Sequence, residues 1–140
     1  MELVIDTNII FSALLKRDAS ELEIIENKYH TIYYCQKSTV ELFKYKEKIV
    51  AVSQLAEEDI VTTFYEILKN LHPIHEKDIP VGNRKLAYEL CKDVDKKDSV
   101  FVAAALFMEA YLWTGDKKLM EGLLKKGYTN TIRTAQILNK

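Results

Sequence analysis

Four carboxylates stand where short apolar runs give way to helical patterns. Asp6 directly follows residues 3–5, and Glu41 comes a few positions after residues 31–34. Asp98 stands just before the apolar run 100–108, and Asp116 lies shortly after residues 111–113. If the short runs are strands of one parallel sheet, the helix N-termini that follow them cluster on one edge, where residues far apart in the chain can meet. Carboxylates gathered in this way suit one chemistry in particular. Anionic oxygens are what a hard Mg2+ or Mn2+ ion needs, and without a cation the four would repel one another. Each acid also has a structural use, since Asp is a preferred helix N-cap and Ser38 with Glu41 has the spacing of a capping box. Ser or Thr would cap equally well in all four places, so the repeated choice of an acid is what points to metal.

Other chemistries find less support. His72 and His75 flank Pro73 and Ile74, a turn followed by an edge strand rather than a ligand pair, and His30 stands alone. Cys35 and Cys91 have no companion at metal-ligand spacing and read as two isolated buried thiols. A phosphatase-type nucleophile at Asp6 would call for a second Asp where Asn8 stands, and no Gly-rich phosphate loop is present.

The elements that must position the acids follow from hydrophobic period. Residues 3–5 read as a strand, followed by a helix carrying Ile9, Ile10, Ala13 and Leu14. A second helix starts at Ser20, where Ser20 and Glu23 form another capping-box pair. Residues 31–34 are a strand, and Ser38 opens a helix whose Leu42, Tyr45, Ile49 and Val52 share one face. Ile60, Phe64, Ile67, Leu68 and Leu71 mark an amphipathic helix that ends at His72-Pro73. An extended piece around Ile74 and a helix over residues 83–91 come next. Residues 100–108 are apolar throughout and rich in Ala, which predicts a buried helix rather than a strand. Residues 111–113 are a strand, Leu119, Met120, Leu123 and Leu124 lie on a helix closed by Gly127, and residues 131–133 form a last strand. Alternating strands and helices predict an α/β fold with a mainly parallel sheet. Tyr33, Tyr34, Tyr45, Phe64 and Trp113 read mostly as core.

The 140 residues fit one domain, 1–140, and 48% hydrophobic content is enough for a sizeable core. Lys and Arg total 20 against 21 acids, a net charge of −1, so no global field captures a polyanion and any nucleic-acid binding is local. The local cations are Lys96, Lys97, Lys117 and Lys118, which border the acids, with Lys16 and Arg17 as further candidates. No basic segment precedes an apolar stretch and no run is long enough to span a membrane, so a soluble cytoplasmic protein is expected.

Asp6-Thr7-Asn8, Glu41, Asp95-Lys96-Lys97-Asp98 and Thr114-Gly115-Asp116-Lys117-Lys118-Leu119, in this order and at these distances, resemble the motifs of PIN-domain ribonucleases over nearly the whole chain. The resemblance implies a three-layer PIN-like fold and divalent-metal-dependent endoribonuclease activity with one or two Mg2+ or Mn2+ ions. It assigns Asp6, Glu41, Asp98 and Asp116 to the metal, Asn8 and Thr114 to supporting positions, and leaves Asp95 in a secondary place beside Asp98. It further implies products with 5′-phosphate and 3′-hydroxyl ends, and the family includes toxins of toxin-antitoxin pairs. RNA, an antitoxin protein and a second copy of the chain are therefore the expected partners, with no membrane. The alternative is a PIN-like module that binds RNA or protein without catalysis.

Overall fold

The structure is a computed structural model that describes residues 1–16 and 19–140; Arg17, one of the candidate cations, lies outside the described residues. Five strands, β1 (Glu2–Ile5), β2 (Thr31–Cys35), β3 (His72–Ile74), β4 (Tyr111–Trp113) and β5 (Thr131–Ile132), form one sheet in the order β3-β2-β1-β4-β5. All four pairings are parallel. The chain builds outward from β1 to β3, then crosses back to place β4 on the other side of β1. That reversal makes the β1/β4 seam the switch point at which α/β sheets open a crevice beyond their strand ends.

Helices α1 (Thr7–Leu15), α2 (Ser20–Glu26), α3 (Gln36–Ser53), α4 (Glu57–Lys69), α5 (Val81–Cys91), α6 (Ser99–Met108), α7 (Lys117–Lys125) and α8 (Thr134–Leu138) complete the described fold, with short 3-10 turns at Glu76–Asp78 and Lys96–Asp98. Alternation along β1 separates the two cores. Leu3 and Ile5 pack with Ile9, Ile10, Ile24, Leu42, Ile60, Trp113 and Ile137 on one face. Val4 packs with Cys35, Ala87, Phe101, Val102, Ala104, Leu119 and Leu123 on the other. The expected three-layer α/β architecture is thus present, and the Ala-rich run forms the buried α6, whose Val102 and Ala104 have no exposed surface. Cys35 and Cys91 are buried and free.

Several local expectations need correction. The helix expected from Ser38 begins at Gln36, so Ser38 lies inside its first turn and Glu41 in its second; the Ser38/Glu41 capping box does not form. Glu76 Oε1 instead accepts the Lys37 N–H at 2.9 Å, satisfying a first-turn donor from another element. Ser20 does not cap α2 either, since Ala19 holds that position without a side-chain bond. On α3, Leu42 and Ile49 are buried, whereas Tyr45 and Val52 are exposed: both line an open groove beside α1, where Tyr45 meets Phe11 edge-on. Helix α8 was not foreseen; five residues are too few to show a period. Its Thr134 hydroxyl accepts the Trp113 indole N–H at 3.0 Å.

Helix α7 carries Asp116 at its start and is seated by two devices. Gly127, at φ 86°, ends it in a left-handed turn, with the N–H groups of Gly127 and Tyr128 donating to the carbonyls of Leu124 and Leu123. Gly122 lets it approach Val94 so closely that a Cβ there would lie 2.2 Å from Val94 Cγ2. Gly122→Ala is expected to lower stability by about 1 kcal/mol, the overpacking outweighing the helix-propensity gain. In the Val94→Ala background the same substitution should stabilise. Urea unfolding of the four-member cycle measures the coupling, and an equal effect in both backgrounds refutes the close-packing account.

Candidate functional site

Asp6 ends β1 and caps α1: its Oδ1 accepts the Ile9 N–H at 3.0 Å, and its own N–H donates to the Trp113 carbonyl at 3.1 Å across the β1/β4 seam. Asp116 caps α7 in the same way, accepting the Leu119 N–H at 3.1 Å. Thr114 stands between them, fully buried. Its hydroxyl oxygen accepts the Asp116 N–H at 3.1 Å, and its proton is donated to the Asp6 carboxylate. One hydroxyl therefore links the two acids across neighbouring strands.

Asp98 differs. It holds the N-cap position of α6 with helical backbone angles, and its side chain makes no cap bond. Asp95 performs that duty for the preceding 3-10 turn, its Oδ1 accepting the Lys97 N–H at 2.9 Å. Asp95 is exposed and Asp98 half-buried. Among the three aspartates of the cluster, only the Asp98 carboxylate is free of a backbone commitment.

Electrostatics shows that the three share one environment. Burial, with a smaller contribution from the charge of Asp116, pushes the Asp6 carboxyl up to about 6, against hydrogen bonds from Thr114, Ile9 and Asn8. Asp98 is likewise raised to about 6, by burial first and then by the charges of Asp95, Asp6 and Asp116; Lys37 offsets part of this. Glu41 is attached by another route. Thr7, between Asp6 and Asn8, donates its hydroxyl proton to Glu41 Oε1 at 3.1 Å and lies 2.8 Å from Ser38 Oγ. Because the Thr7 proton is committed to a carboxylate that can only accept, Ser38 is the donor of the second bond.

Asn8 is exposed and, with Glu41, Phe11, Tyr45 and Lys48, lines a groove of about 530 Å3 between α1 and α3. Lys96, Lys97, Lys117 and Lys118 are exposed at the starts of the 3-10 turn and α7. Among the described residues, no three His, Cys, Asp or Glu side chains are arranged as they stand to close on one ion, and Asp6 and Asp116 are turned toward backbone donors. The donors that converge are nevertheless all anionic oxygens, and two of them carry charge that nearby protein groups leave poorly compensated. That chemistry fits a hard divalent cation.

Two residues of the site escape sequence reasoning. Thr7 looks like a spacer between Asp6 and Asn8, and only the packing of α1 on α3 reveals its bonds. Lys37 carries a positive charge that acts on Asp98, and the available signal was its place two residues past the end of a strand.

A PIN-domain family profile matches residues 4–137. Among solved structures, VapBC2 from Rickettsia felis, crystallised bound to a DNA fragment from its promoter, is similar in fold, with a TM-score of 0.62 and 21% identity over 95% of this chain and 97% of that one. Comparison with curated proteins returns no match.

Both raised aspartates bind their proton more tightly folded than unfolded, where the ordinary value is 3.8. Their contribution to stability is therefore greatest below about pH 4 and falls as pH rises through about 6. Asn keeps the cap and removes the charge. In metal-free buffer the melting temperatures of Asp6→Asn and Asp98→Asn, each relative to wild type, should rise between pH 4 and 7. A difference that stays flat over this range contradicts the shared-environment account.

Proposed function

Since the chain belongs to the PIN-domain family, we propose that residues 1–140 act as one domain that hydrolyses RNA phosphodiester bonds with Mg2+ or Mn2+, as the toxin of a toxin-antitoxin pair. The observation that carries this reading is the meeting of Asp6, Asp98 and Asp116 at the β1/β4 switch point, where the carboxyls of Asp6 and Asp98 are raised by burial and, to a smaller extent, by the charges of the neighbouring aspartates. Asp6, Glu41, Asp98 and Asp116 would hold one or two ions. When bound, such ions neutralise a scissile phosphate and acidify a water. The chain's own contribution is positional. Thr114 fixes the spacing of Asp6 and Asp116, and Thr7 orients Glu41. Asp98, lacking a cap bond, turns without breaking a backbone contact. Asn8 supports the set from the groove side, and Lys96, Lys97, Lys117 and Lys118 hold flanking phosphates. The products carry 5′-phosphate and 3′-hydroxyl ends.

The likeness to VapBC2 supports the toxin reading and an antitoxin partner. We also expect self-association, since exposed apolar side chains remain on α5 and α7, including Val81, Leu86, Tyr88 and Leu124. Light scattering at micromolar concentration is expected to give a homodimer; a species of 16.2 kDa alone refutes this.

Labelled single-stranded RNA incubated with wild type should be cut with Mg2+ or Mn2+ and not with EDTA. Asp6→Asn, Asp98→Asn and Asp116→Asn should fold and lose about two orders of magnitude in rate or more. Asp95→Asn should stay near wild type. Folded variants that cut as fast as wild type overturn the nuclease assignment and leave an RNA- or protein-binding module in its place.

A further inference from the structure

Lys37 has no part in the function proposed above, yet it is held in place more firmly than an ordinary surface lysine. As the second residue of α3 it stands on the sheet edge that carries the acids. Its backbone N–H is taken by Glu76, its ammonium donates to the Lys97 carbonyl, and that ammonium lies 5.6 Å from the centre of the Phe101 ring. Lys97 and Phe101 bracket Asp98 in sequence, and the charge of Lys37 reaches the Asp98 carboxyl, lowering it against the burial and acidic neighbours that raise it. No ion pair consumes that charge among the described residues. An ammonium has three donors, of which the Lys97 carbonyl takes one.

The neighbourhood continues this pattern. Glu76, which anchors the Lys37 backbone, also lines a cavity of about 220 Å3 with Lys77, Arg84 and Ser99, the residue after Asp98. Arg84 is pinned there by the carbonyls of Ile79 and Lys77. Two cations, Lys77 and Arg84, thus line this cavity against one acid, Glu76, whose Oε1 is engaged by the Lys37 N–H. An acidic cluster repels a polyanion, and a chain with a net charge of −1 offers no long-range attraction to compensate. A fixed cation at the rim, with donors unspent, supplies what an approaching phosphate needs.

We propose that Lys37 is a substrate-binding residue: its ammonium holds the RNA phosphate adjacent to the one being cut and directs the strand toward the cavity lined by Lys77, Arg84 and Ser99. The proposal rests on the nuclease reading for the identity of the strand.

Fluorescence anisotropy of a labelled single-stranded RNA, with Ca2+ replacing Mg2+, tests it without requiring cleavage. Lys37→Met should weaken binding about tenfold and reduce the slope of log affinity against log salt by about 0.7, one single-strand phosphate contact. Lys37→Arg should restore both. Where wild type cuts RNA, the Lys37→Met defect should lie in KM rather than kcat. If Lys37→Met fails to fold, Lys37→Gln, which keeps a donor for the Lys97 carbonyl, reads the same quantities. Unchanged affinity and slope overturn the proposal, as does a loss in kcat at constant KM, which would make Lys37 only a counter-charge for Asp98. Wild type that binds RNA through Lys37 and never cuts it overturns the nuclease reading alone.

Discussion

The pairing of β1 with β4 is the constraint from which the rest of the molecule follows. Both strands end at the same level, their last paired residues being Ile5 and Trp113. The Asp6 N–H then continues the ladder to the Trp113 carbonyl, so the residues just beyond each strand are forced together. Asp6 and Thr114 meet because two buried strands stop in register. Since the chain reverses its direction of sheet growth at this seam, no crossover helix covers the strand ends, and α1, α6 and α7 all present their first turns to the same crevice.

Holding acids there is unfavourable, and the fold offsets the cost with hydrogen bonds. Asp6 is buried yet receives the Ile9 N–H and the Thr114 hydroxyl; Asp116 receives the Leu119 N–H. Helix N-termini add their positive dipole ends. The same atoms thus start the helices and gather negative charge. Capping and metal ligation, which compete as explanations of a single Asp, are compatible once three helix starts share one edge.

Much of this was legible in the sequence because it depends on local signals. Strand ends at residues 5 and 113 follow from short apolar runs, and the buried α6 follows from an unbroken apolar stretch led by Asp98. Contacts between elements were not legible. The Ser38/Glu41 spacing suggested a local box, whereas tertiary packing gives Ser38 to Thr7 and leaves the start of α3 to Glu76, 35 or more positions away in sequence from either. The period of α3 placed Tyr45 and Val52 in the core, but period reports a face and cannot report that the packing of α1 leaves an open groove along it. Lys37 was hidden for a related reason: its partners Lys97 and Phe101 lie on a distant segment.

Trp113 is the only tryptophan in the chain, and no part of it is exposed. Its carbonyl receives the Asp6 N–H, its indole donates to Thr134, and the next residue is the Thr114 that joins two acids. The molecule therefore carries one intrinsic fluorophore at the floor of its crevice, shielded from aqueous quenchers. Emission from this single indole reports on the seam itself, so an event at the strand ends can be followed optically in unlabelled protein, free of signal from any other tryptophan.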